Sequence, residues 1–146
     1  MAKKSNRSGL TINLHGTEEV QKMFSKLASD VKKELVANAV TTGMNKVAAD
    51  ARASTAFKDK TGDLRRGIKA EVYVGQNGVL AKIGVELPPG KTIGGGLPAS
   101  TYPYMVEYGT QNSPAHPFLR PALNKNKSKI NKDFEQAVIN AAKEAT

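Results

Sequence analysis

Gly67-Ile68-Lys69-Ala70-Glu71-Val72-Tyr73-Val74-Gly75-Gln76-Asn77-Gly78-Val79-Leu80-Ala81-Lys82-Ile83-Gly84-Val85 decides the fold. Successive side chains of a strand point to opposite faces. Ile68, Ala70, Val72 and Val74 therefore share one face, and Val79, Ala81, Ile83 and Val85 share a face of a second strand. Gly75-Gln76-Asn77-Gly78 stands between them, and Asn-Gly between two alternating runs is a strong hairpin signal. The segment predicts an antiparallel hairpin with one apolar face that other elements must cover.

On the N-terminal side, Leu10, Ile12 and Leu14 alternate with Thr11, Asn13 and His15, which predicts one more short strand. Gly16 ends it. Thr17 or Gly16 can cap a helix whose first turn holds Glu18 and Glu19, where the helix dipole favours acids. Val20, Met23, Phe24, Leu27, Val31, Leu35, Ala39, Val40, Met44, Val47, Ala48 and Ala51 follow at helical spacing. As one helix from Thr17 to Ala53 this would be about 55 Å long. Either it breaks, near Ala28-Ser29-Asp30 or at Thr41-Thr42-Gly43, or it outreaches the domain and meets another subunit.

Residues 54–66 read as a loop with a turn. Residues 86–100 hold three of the seven prolines and four of the thirteen glycines, a composition that predicts a long mobile loop. Thr101 to Gly109, with Pro103 near its start and Gly109 at its end, predicts a short helix; a strand with Tyr104, Val106 and Tyr108 on one face is the alternative. Residues 110–117 are a Pro-containing loop. A last helix carries Leu123, Lys127, Ile130, Phe134, Ala137, Val138, Ala141 and Ala145, with Pro121 acceptable only in its first turn. The expectation is an α+β fold, a small antiparallel sheet packed by a long N-terminal helix and a C-terminal helix. Residues 1–9 form a flexible basic tail, and residues 10–146 form a single domain.

The 146 residues are enough for one core, and 39% hydrophobic with 24% charged residues is the composition of a soluble globular protein. Cysteine is absent, which excludes disulfides, thiolate metal sites and a Cys nucleophile. No apolar run approaches the roughly 18 residues of a membrane span. Met1-Ala2-Lys3-Lys4-Ser5-Asn6-Arg7 has no apolar segment behind it, so no secretory signal is expected and the cytosol is the expected compartment. The net charge of +9 lies in patches: +3 in residues 1–9, +3 in residues 58–69 and +5 in residues 115–132. Such patches face polyanions or acidic partners, or simply solvent.

Catalytic patterns are weak. Gly90-Lys91-Thr92 resembles the end of a phosphate loop, but Val85 stands where that motif needs glycine, and Gly94-Gly95-Gly96 follows where it needs a helix. His15 and His116 have ordinary loop surroundings, there is no Gly-x-Ser-x-Gly turn, and the carboxylates show no ligand spacing. No enzymatic activity and no cofactor or metal are expected. Glu107 is the distinctive charge. It is the only acid between Glu86 and Asp133 and stands among Tyr102, Tyr104 and Tyr108. A lone carboxylate in such a setting calls for a cationic partner, Arg120 or Arg65; the alternative is a solvent-facing side chain.

Three blocks together resemble a family of neck and tail-completion proteins of long-tailed bacteriophages. Thr61-Gly62-Asp63-Leu64-Arg65 precedes a strand, Tyr104-Met105-Val106-Glu107-Tyr108-Gly109-Thr110 follows the glycine-rich loop, and Pro117-Phe118-Leu119-Arg120-Pro121-Ala122 opens the last helix. Their order and spacing are similar over about residues 17–140. The resemblance implies a non-enzymatic virion protein at the head–tail junction, a homo-oligomeric ring subunit that touches other neck, connector or tail proteins and has no membrane partner. It also implies assembly in the host cytoplasm. The basic patch Lys125, Lys127, Lys129 and Lys132 would face DNA in the channel or an acidic partner. The competing reading is a basic nucleic-acid-binding protein, against which stands the separation of the tyrosines from the basic runs. A third is a hydrolase, for which no site is visible.

Overall fold

The structure, a computed structural model, describes residues 8–57, 62–87 and 102–145. Strand β1 (Ser8–Leu14) leads to α1 (Glu18–Lys26), α2 (Ser29–Leu35), a π-helical segment (Val36–Thr41) and α3 (Thr42–Arg52). A one-turn helix α4 (Asp63–Arg66) precedes the hairpin of β2 (Ile68–Val74) and β3 (Val79–Val85), and helices α5 (Tyr102–Tyr108) and α6 (Leu119–Glu144) complete the chain. The basic tail up to Arg7, Thr61 and nearly all of the glycine-rich segment (residues 88–101) lie outside the described residues.

The fold is α+β, as the sequence predicts. The sheet has the order β1-β3-β2 and is antiparallel throughout. The register sets Leu10, Ile12 and Leu14 opposite Ile83, Ala81 and Val79, and Ala70, Val72 and Val74 opposite the same three. This aligns the apolar sets of all three strands on one face, as the period-2 pattern demands. That face is covered by α3, the π-helical segment and α6. No element among the described residues covers the other face, which exposes Tyr73 and Leu80. Gly75 N donates to Gly78 O at 2.8 Å to close the hairpin.

The N-terminal helical run does break. Leu27 and Ala28 are extended (ψ 146° and 151°), so α1 and α2 are separate. Val31, in the first turn of α2 just after the break, is exposed although it fits the helical period, while Leu35 one turn on is buried. From Ser29 to Arg52 the helix is continuous through the π turn. Val36, Val40, Met44 and Ala48 recur every four residues and are all buried. At 100° per residue such spacing drifts off the core, and a wider i→i+5 turn reduces the drift. Thr17 caps α1 by accepting a hydrogen bond from Val20 N. The α6 core stripe, Leu119, Ala122, Leu123, Ile130, Phe134 and Val138, packs against α1 and α3, with Phe24 and Phe134 rings 5.5 Å apart. Asn126, not Lys127, takes the position between Leu123 and Ile130 on the buried face.

Candidate functional site

Helix α6 begins without a side-chain cap of its own; its N-cap residue is Phe118. The first four N–H groups of a helix have no intrahelical partner. Here they belong to residues 118–121, and Pro121 has none to offer. The other three are taken by one carboxylate on another helix. Phe118 N and Leu119 N donate to Glu107 Oε1 at 3.1 and 2.8 Å, and Arg120 N donates to Oε2 at 3.1 Å. Arg120 Nε adds a fourth bond to Oε2 at 3.0 Å, while Arg120 Nη2 reaches back to the Glu107 carbonyl at 2.8 Å. Glu107 is only 2% exposed. Four donors fill the acceptor sites of a carboxylate, and the helix dipole favours the negative charge there. Of the two arginines considered, Arg120 is the partner, and the solvent-facing alternative for Glu107 is overturned.

The neighbours of Glu107 each have a local reason. Gly109 ends α5 in the left-handed region (φ 79°), and a Cβ there would lie 2.7 Å from Ala115 N. Thr110 Oγ1 accepts from Ser113 N at 3.0 Å and organises the turn that returns the chain to α6, and His116 N donates to Val106 O at 2.7 Å. Tyr104 and Tyr108 stack with ring centroids 5.8 Å apart on the outer side of α5. Arg120 Cζ lies 4.8 Å from the Tyr108 ring centroid. The sequence separates the tyrosines from the basic runs, but folding brings one arginine of those runs onto a tyrosine.

The other two blocks meet through a residue that sequence reasoning did not single out, Phe57. Its ring lies 4.6 Å from that of Phe118, and Arg65 Cζ lies 4.3 Å from its centroid. Arg65 donates to the carbonyls of Arg52, Ser54 and Phe57, which tethers the chain leaving α3. Arg52 in turn donates to Ile68 O at 2.6 Å, at the start of β2. Leu64 is buried beside this junction, Gly62 supplies a left-handed turn (φ 82°), and Pro117 is half-buried before Phe118. Thr61 lies outside the described residues. The three blocks thus form one brace joining the ends of α3, α5 and the start of α6.

The basic patch divides on α6. At 100° per residue, Lys125, Lys129 and Lys132 share a stripe, and Lys127 falls on the flank that carries Arg120. Lys129 pairs with Asp133 at 2.8 Å, and Lys125 lies 3.9 Å from Asp50. Asn126 is 6% exposed. Its amide donates to Asp50 Oδ2 at 2.8 Å and Ala122 O at 2.7 Å. A buried polar residue in an apolar stripe was the available signal for it. The Asn126 hydrogen bond, aided by Lys125 and Lys46 and partly opposed by desolvation, holds the Asp50 carboxyl below its ordinary value. A depressed carboxyl stabilises the fold above its unfolded value near pH 4, and that contribution fades as pH falls through the lowered one. Asp50→Asn should therefore melt below wild type at pH 7, and the difference should shrink on going to pH 3. A difference independent of pH would overturn this reading.

Among the described residues no cluster of His, Asp and Glu can hold a metal, and no helix is long and apolar enough to cross a membrane. The distinctive residues of this α+β domain brace backbone against backbone. A family model described as "Bacteriophage HK97-gp10, putative tail-component" matches residues 18–109, more than half of the chain, and the chain belongs to this HK97-gp10-like family. The match runs from the start of α1 to the glycine after α5, and the family is one of structural phage tail components. Neither the curated proteins nor the solved structures yield a match.

Proposed function

We propose that the protein is a ring-forming subunit at the neck or tail end of a phage particle, helping to join head to tail or to complete the tail. The observation that carries this reading is the saturation of Glu107. The one distinctive carboxylate has all its acceptor sites filled by the α6 N-terminus and Arg120, which suits a brace and leaves no lone pair for proton transfer. What the brace holds rigid is an exposed surface, as an assembly subunit needs. Family membership supports the placement in the particle.

The test is to produce phage without the protein and to weigh the purified protein alone and in particles. The reading expects filled heads and finished tails that stay unjoined, and a multimer of defined mass in wild-type particles. Infective particles lacking the protein would overturn it.

Lys125, Lys129 and Lys132, which share one stripe of α6, serve this reading by facing DNA in the channel. Each phosphate contact releases counterions, so weak DNA binding should fade steeply with salt. Neutralising Lys125, Lys129 and Lys132 together should lower DNA retention while changing stability little, since all three lysines are exposed and the ion pairs of Lys125 and Lys129 are worth about 0–1 kcal/mol each. Wild-type DNA retention in that variant would count against a DNA contact.

A further inference from the structure

We propose that Tyr104, Tyr108 and Arg120 form an anchor that grips an acidic segment of a different protein chain, a surface that rests on the assembly role above and names its chemistry. The two tyrosines are 52% and 48% exposed although stacked. Tyrosine and arginine, with tryptophan, are the side chains that most often anchor protein interfaces; tyrosine offers large contact area at low entropy cost, and arginine does so only once it is held in place. Here the entropy is already reduced. Arg120 is fixed by Glu107 through Nε and Nη2, and its remaining nitrogen, Nη1, has no protein partner among the described residues.

Along the chain on either side of this anchor the exposed charge has one sign. From Tyr102 to Lys132 the only acid is Glu107, which is buried and saturated. Lys127, two helical turns from Arg120 on the same flank and about 10 Å along the axis, is exposed. The complement is therefore a surface carrying carboxylates beside apolar groups. A DNA duplex offers anions but stacks its bases inside, out of reach of a tyrosine pair. A second copy of this chain, at +9 net charge, is a poorer complement than an acidic partner.

The test places a photoreactive benzoylphenylalanine at position 104 and irradiates infected cells during assembly, followed by sequencing of the cross-linked peptide. The expected product joins position 104 to a net-negative segment of another protein, and Tyr108→Ser or Lys127→Glu should lower its yield about tenfold or more. Cross-linking to DNA, to a second copy, to a segment without net negative charge, or to nothing overturns the proposal. Incorporation of the labelled protein into particles is scored separately, so a failed anchor and a failed particle role give different results.

Discussion

Glu107→Ala is expected to lower stability by about 3–5 kcal/mol, the scale for removing one partner from a buried, hydrogen-bonded charge pair. For a domain near this size that is a fall in Tm of roughly 10–20 °C. Most of the loss should come from the backbone of α6, not from the ion pair. The Arg120 side chain is 43% exposed, so solvent screens its share and the pair itself contributes nearer to 0–1 kcal/mol. The N–H groups of Phe118 and Leu119 have no such relief, because both of their bonds are buried. Arg120→Gln should consequently cost far less than Glu107→Ala. Glu107→Gln should fall between them, since an amide oxygen still accepts from two N–H groups while its NH2 group faces the remaining donors. In the cycle of Glu107→Gln with Arg120→Gln, a coupling of about 0.5–1 kcal/mol is expected. If Arg120→Gln matches Glu107→Ala, the ion pair and not the helix cap dominates, and this account is wrong.

The hairpin, the sheet face and the long helices were legible in the sequence because they are periodic, and a period of 2 or 3.6 survives without knowledge of neighbours. Helix α5 was legible only from Pro103 and Gly109 at its ends, and the one-turn α4, too short to show a period, falls within the loop that the sequence predicts over residues 54–66. The pairing of Glu107 was legible in kind, since an acid isolated among tyrosines needs a cation. Its three backbone partners were not, because a helix N-terminus carries no residue label for a cap donated from another element. Phe57 was missed for a related reason. It lies in an aperiodic stretch between α3 and β2, and only the fold sets it between Arg65 and Phe118. Val31 fitted the period but lies in the first turn of α2, beside the Leu27-Ala28 break, and is exposed; a period does not tell the end of a helix from its middle. Asn126 was overlooked because Lys127 fitted the same stripe by one residue.

Phe118→Ala is expected to cost about 3–5 kcal/mol, the range for deleting a fully buried aromatic ring, and its consequences should spread along the brace. The ring is buried at the N-terminus of α6 and pairs with Phe57 at 4.6 Å. Removing it opens a void beneath the helix start and takes away the backing of Phe57. Arg65 stacks near the same Phe57 ring and holds the carbonyls of Arg52, Ser54 and Phe57. The end of α3 should then fray, and the amides of Ala53 and Ser54, bonded to Ala49 O and Ala51 O, should exchange with solvent faster than the rest of the helix. Phe134→Ala supplies the control. It deletes a ring of the same size from the opposite end of the core, where Phe134 meets Phe24, so it should cost a similar amount but raise exchange at Ala53 and Ser54 no more than elsewhere. Combining Phe118→Ala with Arg65→Met should fall short of the sum of the single effects by about 0.5–3 kcal/mol, because both act through Phe57. Additive losses, with no selective exchange at the end of α3, would mean that the three blocks are separate packing sites and not one brace.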